Sequence, residues 1–515
     1  MTKTNWLDIL LGNVTAALLG ASLALAFAPF GIFPLAVIAP AGLLALILNT
    51  APKRAWQYGY TFGLGLFSAG VYWVFISIHT YGDVPSILAG IITAGLIAIL
   101  ALYPAFTCYL TNRFYPINNT PKFVFAFPAI WLLSEWIRSW VGCGFPWLFL
   151  GYSQTNSPLK GFAPILSVYG VSLAVLICSG LVVNIYVKYK QKEFRSLYLS
   201  VFALLAIWIT GALLSLIPWT TAQGKPLNVS LVQGNIPQSL KWSPEHVNLS
   251  FDTYTRLSEP AWGKSDIIVW PEAAIPMTLQ SAAAFIETMD EKAREHHTDL
   301  ILGIPIHNSK NDGYYNAVVS LGANKTTYLK RDLVPFGEYV PFQQYLSKVL
   351  DFMHVPLADM QAGSPNQPAL LAANTKINTS ICFEIAFPEL INMRDKSIGM
   401  LLTVTNDAWF GKSIAQAQHL QMAAMRAIEL GRPVLFVSND GITAIIGPHG
   451  LIEAAAPPHV SFVLNGTVQP MFGVTPWMTN GMDPILVILF CFLFGAKRYP
   501  KKLMQTKREY DGRTI

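Results

Sequence analysis

The chain has 515 residues, of which 53% belong to the apolar and aromatic set AVILMFWYC and only 12% are charged. Soluble domains carry about 25% charged residues, so this composition excludes a disordered chain, a nucleic-acid-binding arm and a cytosolic enzyme of ordinary composition. The charges are unevenly placed, with 15 in residues 1–218, 39 in residues 219–480 and 10 in residues 481–515. The middle part is net −5, so the overall charge of +6 does not indicate a nucleic-acid partner.

Eight apolar stretches approach the roughly 20 residues that a helix needs to cross a bilayer. They predict a polytopic α-helical membrane domain of about seven helices (1–218), a globular domain (219–480), and a final transmembrane helix with a basic tail (481–515). The first stretch is not typical of a cleaved signal peptide, because Lys3 is the only basic residue before it and further apolar stretches follow at once. The eight stretches are 9–28, 32–50, 56–78, 85–111, 123–141, 163–187, 197–218 and 482–496.

Lysine and arginine residues concentrate in alternate loops, and this alternation predicts how the helices are oriented. With the N-terminus in the cytoplasm, the loops and termini on that side hold 16 basic residues. The opposite loops hold Lys160 and, at the membrane edge, Arg138. We therefore expect both termini in the cytoplasm and residues 219–480 outside it.

Glu135 and Arg138 lie three residues apart in the fifth apolar stretch. Charges are costly in hydrocarbon, so these side chains are expected to face protein or each other. Two interpretations remain open, a structural ion pair near the outer interface and a contact to a polar lipid headgroup. The glycine, proline and tryptophan residues of the following stretch, 144–154, indicate an irregular interfacial segment.

Residues 219–480 alternate between short β-branched runs and helical stretches, a pattern that predicts a layered α/β or α+β fold. Two stretches, 281–296 and 415–430, have helical patterns. The predicted strands are 228–233, 267–270, 300–306, 317–321, 378–381, 401–404, 434–437 and 443–446.

Cys382 is the only cysteine in residues 219–480, so no disulfide can form within that domain. A single cysteine in an exported domain is either a small buried apolar residue or a reactive thiol. Cys382 follows a predicted strand and precedes the sequence FEIAFPE. Free backbone N–H groups at such a junction favour a thiolate and can hold an oxyanion.

Three further charged residues lie in loops that follow predicted strands or are bent by proline and glycine. Glu272 ends the sequence VWPE, and Lys330 and Glu338 lie within YLKRDLVPFGEYVP. Taken singly, each is most simply a solvated surface charge. Together with Cys382 they can form an acyl-transfer site with a nucleophile, a base and a cation that holds the oxyanion.

Other patterns leave their alternatives open. His296 and His297 lack metal-ligand spacing and are typical of a solvated helix end. His419 and Arg426, on the predicted helix 415–430, either line the site or have structural roles. The apolar segments 345–357 and 409–411 are either lids over a lipid-facing site or part of the core.

The order of the WPE, YxK and ICxE motifs resembles the nitrilase, or carbon–nitrogen hydrolase, superfamily. That resemblance implies an αββα sandwich and a Glu–Lys–Cys triad in residues 219–480. The whole chain is more similar still to the membrane-embedded apolipoprotein N-acyltransferase family. The strings that carry this similarity are GFPWLFLGYSQ (144–154), VQGNIPQSLKW (232–242), LVPFGEYVP (333–341), ICFEIAFPE (381–389) and TNDAWFG (405–411).

The resemblance implies a role for each residue that matches the family's motifs. Cys382 would be the nucleophile, Glu272 the general base and Lys330 the third member of the triad. The chain departs from the family pattern at Phe383, where tyrosine is usual, so a hydroxyl there cannot be essential. Supporting or substrate-binding roles are implied for Glu338, Glu384, Phe383 and Trp242.

The resemblance also implies a reaction and a location. An acyl chain would pass from a membrane phospholipid to Cys382 as a thioester, and then to the N-terminal amine of a diacylglyceryl-modified apolipoprotein. We expect a monomer in the bacterial inner membrane, with the catalytic domain in the periplasm and no cofactor or metal ion. One alternative is a membrane-anchored amidase that hydrolyses a small amide. Another is a transporter or scaffold. A solute path usually needs more polar residues than the one conspicuous charge pair within the membrane stretches.

Overall fold

The structure, a computed structural model, describes residues 6–142, 144–310, 312–339, 360–392 and 395–511, without the side chains of residues 244 and 499–511. The segment 345–357, predicted as a possible lid, lies outside the described residues. The chain forms two compact units. One contains residues 1–72, 90–217 and 480–515, and the other contains residues 73–89 and 218–479.

A helix overlaps each of the eight predicted membrane stretches. Four of the described helices are long and apolar enough to cross a bilayer, if Pro158–Lys190 is treated as one helix. The bent pair Pro52–Gly70 and Trp73–Tyr81 gives a fifth span if the two helices are counted as one. Eight crossings therefore remain a prediction. The main helices are Trp6–Ala24, Leu35–Leu46, Pro52–Gly70, Ser86–Phe114, Phe127–Arg138, Ala163–Lys190, Phe194–Leu214 and Asp483–Asp511.

Glycine residues let the helices of the first unit approach one another closely. A Cβ atom on Gly20 would collide with the carbonyl of Phe62, and one on Gly65 would collide with the carbonyl of Ala17. The helices Trp6–Ala24 and Pro52–Gly70 therefore pack backbone to backbone. Such contacts stabilise membrane helices through dispersion forces, since lipid offers no hydrophobic driving force between them.

Glu135 and Arg138 are buried and face protein, and their hydrogen bonds run to the irregular segment that follows their helix. Glu135 Oε1 accepts from the backbone N–H of Leu150 at 3.0 Å. Arg138 Nη1 donates to the carbonyl oxygen of Trp147 at 2.6 Å. The two side chains thus hold the segment 145–150 in place, which favours the structural interpretation of these charges.

The second unit is built from fourteen strands among its described residues. All eight predicted strands and both predicted helices are present. The pattern missed six short or partly exposed strands and the helix Val247–Ser258. The strands are β1 Thr220–Ala222, β2 Leu227–Gln233, β3 Ile267–Val269, β4 Asp299–Asn308, β5 Gly313–Leu321, β6 Thr326–Leu329, β7 Leu370–Ala372, β8 Thr375–Ile381, β9 Ile398–Thr405, β10 Val434–Ser438, β11 Ala444–Ile446, β12 Ile452–Ala455, β13 Phe462–Val468 and β14 Met471–Gly473.

The strands form two six-stranded sheets and one small ribbon. The first sheet has the order β13-β2-β3-β4-β5-β6, and the second has the order β12-β11-β10-β9-β8-β7. The central strands of each sheet, β2-β3-β4 and β8-β9-β10, run parallel to one another. Every other pairing in the two sheets is antiparallel. Strands β1 and β14 pair with each other.

The two sheets pack face to face over one apolar core. Residues that alternate along the central strands point into it, among them Leu231 and Val269 from the first sheet and Leu402 and Leu435 from the second. This alternation follows from the period of two in a strand. Burial of these side chains stabilises the sandwich by about 25 cal/mol for each Å² of apolar surface removed from water.

Helices cover the outer faces of both sheets and complete the four layers expected of an αββα fold. Val247–Ser258 and Ala283–Glu295 cover the first sheet, where Tyr254 and Phe285 pack against Trp270. Ala415–Leu430 lies against the second sheet, where its His419 contacts the ring of Phe436 at 5.2 Å.

Candidate active site

Cys382 follows directly after strand β8 and begins a short 3₁₀ turn, Cys382–Ala386. Its φ angle is +53°, in the left-handed region that residues other than glycine rarely adopt. The strain of this conformation, about 1–3 kcal/mol, must be offset by the contacts around it. The side chain is half-buried. The turn therefore lifts the thiol out of the strand direction at the edge of the sheet.

Glu384 ties this turn to the loop after strand β6. It is completely buried and accepts hydrogen bonds from the backbone N–H groups of Ile381 and Arg331, each at 2.7 Å. The hydroxyl of Tyr328 donates to it at 3.0 Å. Burial raises the pKa of Glu384, while Lys330 and the backbone donors oppose that shift. Glu384 thus connects the nucleophile turn to the strand that precedes Lys330.

Lys330 lies between two carboxylates, with its side chain only 1% exposed. Its Nζ atom is 2.8 Å from Glu338 Oε2 and 3.7 Å from Glu272 Oε1. The side-chain amide of Asn316 donates to Oε1 of both glutamates, at 2.7 Å to Glu272 and 2.9 Å to Glu338. The structure thus brings Glu272, Lys330 and Glu338 together, although the two glutamates lie far apart along the chain.

The charges of this cluster act on the thiol of Cys382. Burial raises the pKa of Cys382, the carboxylate of Glu272 adds to that shift, and Lys330 opposes it. Burial alone would lower the pKa of Lys330, but Glu338 and Glu272 outweigh it and raise that pKa. The raised pKa values favour a neutral thiol on Cys382 beside the ammonium group of Lys330.

The neutral thiol differs from the expectation that the strand end would favour a thiolate. The turn that follows Cys382 has only five residues, too few for a substantial helix dipole. Burial and the nearby carboxylate of Glu272 dominate instead. A base is therefore needed to remove the thiol proton during reaction, and Glu272 is close enough to influence that proton electrostatically.

Lys241 is a second buried lysine beside Glu272. Its Nζ atom donates to the backbone carbonyl of Glu272 at 3.0 Å. Burial lowers the pKa of Lys241 to about 8, although the carboxylate of Glu272 opposes the shift. Lys241 fixes the loop that carries Glu272. The adjoining Trp242 is 48% exposed, so its ring is available to a ligand.

The ring of Phe383 packs edge to face on Phe387, with 5.1 Å between the ring centroids. The aromatic packing of this position is therefore retained without the tyrosine hydroxyl.

The loop 405–411 is anchored to residues 73–81 of the same unit. Phe410 packs on Trp73 with 4.7 Å between the ring centroids, and Trp409 packs on Tyr81 at 5.9 Å. The hydroxyl of Ser77 donates to the carbonyl of Trp409 at 2.7 Å. Trp409 is still 39% exposed, so part of the loop faces outward while Phe410 serves in packing.

The sequence interpretation missed Asn316 and Lys241. Asn316 was detectable as a polar residue within an apolar strand, but the predicted strand began one residue later. Lys241 lies in the string VQGNIPQSLKW, where a lysine next to an exposed tryptophan looks like a surface residue. Their roles depend on contacts with Glu272 that no local pattern encodes.

Both parts of the chain are similar in sequence to known protein families. Residues 19–181 match the sequence model described as apolipoprotein N-acyltransferase N-terminal domain, and residues 228–471 match the one described as carbon–nitrogen hydrolase. A protein from Coxiella burnetii named apolipoprotein N-acyltransferase is 40% identical over 94% of this chain and 99% of its own length. This chain belongs to the apolipoprotein N-acyltransferase family.

Other members of the apolipoprotein N-acyltransferase family are similarly close. The one from Azotobacter vinelandii is 41% identical over 91% of this chain and 91% of its own length. The one from Pseudomonas putida is 39% identical over 94% of this chain and 96% of its own length. Membership of this family and of the wider nitrilase superfamily confirms the resemblance inferred from the motifs.

Proposed function

We propose that this protein transfers an acyl chain from a membrane phospholipid, through a thioester on Cys382, to the N-terminal amine of a diacylglyceryl-cysteine on lipoproteins. The observation that carries the proposal is the cluster of Glu272, Lys330 and Glu338, whose charges act on the thiol of Cys382. The names of the relatives support lipoprotein N-acylation as the overall reaction.

The first half-reaction forms the acyl-enzyme. Glu272 takes the thiol proton while the sulfur of Cys382 attacks the ester carbonyl, and a new C–S bond forms. The ammonium group of Lys330 and the backbone N–H of Phe383 hold the oxyanion. The ester C–O bond then breaks, the proton passes from Glu272 to the departing oxygen, and a lysophospholipid leaves.

The second half-reaction transfers the acyl chain to the lipoprotein. An α-amine has a pKa of about 8 and is mostly protonated at neutral pH, so it first releases one proton to water and attacks as the neutral amine. Glu272 takes a proton from the attacking nitrogen as the C–N bond forms. The C–S bond breaks, the proton returns to the sulfur of Cys382, and an amide is released.

Supporting residues hold this constellation in place. In this proposal Glu338 orients Lys330, and Glu384 fixes the turn that carries Cys382. Phe383 provides the oxyanion donor through its backbone, and the exposed ring of Trp242 contacts substrate. No cofactor or metal ion takes part.

The same proposal assigns a location to the protein. Its domains are a membrane domain (1–218), a catalytic domain (219–480), and a last transmembrane helix with a basic tail (481–515). The distribution of lysine and arginine supports eight crossings, cytoplasmic termini and a periplasmic catalytic domain. We place the protein in the bacterial inner membrane as a monomer.

Peptide mass spectrometry of the purified protein incubated with one defined phospholipid tests the first half-reaction. We expect an acyl adduct on the Cys382 peptide that hydroxylamine removes and that Cys382→Ala lacks. Addition of a diacylglyceryl lipopeptide should discharge the adduct and give N-acylated peptide. No adduct in folded protein across several headgroups would overturn the phospholipid-donor proposal. Discharge to free fatty acid alone would favour the hydrolase alternative.

A further inference from the structure

His419 contacts an oxygen atom with each of its two ring nitrogens. Nδ1 lies 3.0 Å from Oδ1 of Asp407, and Nε2 lies 3.1 Å from the backbone carbonyl oxygen of Cys382. The side chains of His419 and Asp407 are both 0% exposed. The hydroxyl of Thr405 donates to the same Oδ1 atom at 2.8 Å. Thr405, Asp407 and His419 thus form a chain of polar contacts that ends at the backbone carbonyl of Cys382.

The number of protons follows from the number of acceptors. A backbone carbonyl can only accept a hydrogen bond, and so can a carboxylate. The contact with the carbonyl oxygen of Cys382 therefore requires a proton on Nε2. The contact between Nδ1 and Oδ1 of Asp407 requires a second proton, because two lone pairs would otherwise repel each other.

The carbonyl of Cys382 belongs to the same peptide group as the N–H of Phe383. A donor that hydrogen-bonds to a peptide oxygen draws electrons toward that oxygen and makes the N–H of the group a stronger donor. The N–H of Phe383 is the oxyanion donor of the proposed mechanism. A hydrogen bond from His419 to this peptide group would therefore strengthen the donor that holds the oxyanion.

We propose that His419, paired with Asp407, is a positioning residue that polarises the peptide between Cys382 and Phe383 and so strengthens the oxyanion donor. This inference rests on the proposed function, because it needs an acyl-transfer step with an oxyanion. It gives a role to a histidine whose function the sequence left open.

The packing around His419 fixes the ring in the orientation that this role requires. The ring of Phe436 meets it edge to face, with 5.2 Å between centroids and 83° between planes. The ring of Phe410 meets it at 6.0 Å and 89°. Aromatic rings on two sides limit rotation of the imidazole, so both nitrogens stay on their oxygen partners.

Two rates measured on the same thiol separate this role from a merely structural one. Acylation of Cys382 by a phospholipid passes through an oxyanion, whereas alkylation by iodoacetamide does not. Loss of a whole oxyanion donor costs about 100- to 1,000-fold in rate, and a weakened donor should cost less. In His419→Gln and Asp407→Asn we expect acylation to fall about 10- to 100-fold. Alkylation should change less than about twofold in His419→Gln, and it should not slow in Asp407→Asn, because the loss of that charge lowers the pKa of Cys382.

The matched control is His307→Gln, which removes a histidine from a more exposed pair with Asp312, 3.0 Å away. That variant should keep both rates. If both rates fall together in the His419 and Asp407 variants, the residues only hold the turn and the inference is wrong. Unchanged acylation in folded variants would also overturn it. A wild-type protein that is alkylated but never acylated would instead contradict the proposed function.

A measurement on the wild-type protein covers the case in which these variants do not fold. Protein labelled with ¹⁵N-histidine should show Nε2 of His419 protonated, as its contact with the carbonyl oxygen of Cys382 requires. An unprotonated Nε2 would overturn the inference.

Discussion

At the residue scale, Lys330 is a buried ammonium group balanced by two carboxylates. Bringing such a charge into the protein interior costs several kcal/mol, and only well-placed opposite charges and hydrogen bonds offset that cost. Glu338 supplies the closer contact at 2.8 Å, and Glu272 lies at 3.7 Å. The longer contact leaves Glu272 less constrained, which suits a carboxylate that must accept and return a proton.

The first prediction concerns Glu338→Gln. The glutamine keeps the shape and one acceptor but removes the charge next to Lys330. We expect a loss of about 1.5–3 kcal/mol in the free energy of unfolding, and acyl-enzyme formation at least about tenfold slower because Lys330 is less well oriented. Denaturant melts and acylation time courses measure the two effects.

The control for that variant is Glu287→Gln on the helix Ala283–Glu295, where the side chain is exposed. This change should alter stability by less than about 0.5 kcal/mol. Full acylation activity in Glu338→Gln would mean that Lys330 does not depend on the second glutamate.

The second prediction concerns how the reactivity of Cys382 depends on pH. Burial and then Glu272 raise the pKa of its thiol above the ordinary value, which is about 8.5. Alkylation needs the thiolate, so its rate should keep rising as the pH passes that value. In Glu272→Gln the loss of a negative charge lowers the pKa, and the profile should move to lower pH. Mass spectrometry of the Cys382 peptide measures the alkylation rate at each pH. A rate that reaches its plateau below pH 8 in the wild type would contradict a raised pKa of Cys382.

At the scale of elements, strand β4 supports the loop that carries Glu272. The N–H of Gly303 in β4 donates to the carbonyl of Pro271 at 3.2 Å. A Cβ atom at Gly303 would lie 2.5 Å from that carbonyl oxygen and 2.7 Å from the Cα of Glu272. Only glycine allows the strand and the catalytic loop to approach this closely, because the conflicting atoms are backbone atoms that cannot rotate away.

The third prediction is that Gly303→Ala displaces Glu272 while leaving Cys382 in place. Acyl-enzyme formation should fall at least about tenfold, since a shift of about 1 Å in a catalytic group can cost that much or more. Alkylation of Cys382 should change little. Gly95→Ala is the control, because a Cβ atom there meets nothing within 4 Å. Normal acylation in Gly303→Ala would show that the loop tolerates the displacement.

At the scale of the whole molecule, the proposed topology places the catalytic domain outside the cytoplasm. Loop charges determine orientation because cytoplasmic loops retain lysine and arginine. The proposal can be tested with single cysteines in a chain whose five native cysteines have been replaced. The two chosen sites, Lys190 and Glu291, are both exposed.

The fourth prediction is that Glu291→Cys reacts with a membrane-impermeant maleimide in intact spheroplasts, whereas Lys190→Cys reacts only after the membrane is opened. The first site lies in the proposed catalytic domain, and the second lies at the end of a helix that the proposed topology puts in the cytoplasm. Labelling in the opposite order would refute the orientation, and labelling of both sites in intact spheroplasts would refute an odd number of crossings between them.

Much of the architecture was predictable because it depends on local patterns. Apolar runs of bilayer length marked the membrane helices, and alternating burial marked the central strands of both sheets. The strands that escaped prediction, such as β12 with its mostly exposed side chains, lack an apolar pattern. Strand-end positions also marked Glu272 and Cys382 as candidates, although the two residues follow strands of different sheets, β3 and β8.

Sequence patterns were sufficient to predict the division into membrane and globular parts, the family, and the candidates Glu272, Lys330 and Cys382. Hydropathy, charge and motif order are properties of neighbouring residues, so they can be read without a fold. Only the folded chain shows that Asn316 joins the two glutamates, that burial raises the pKa of Cys382, and that His419 contacts its carbonyl. Burial and the approach of charges distant in sequence set these properties, and only the folded chain defines them.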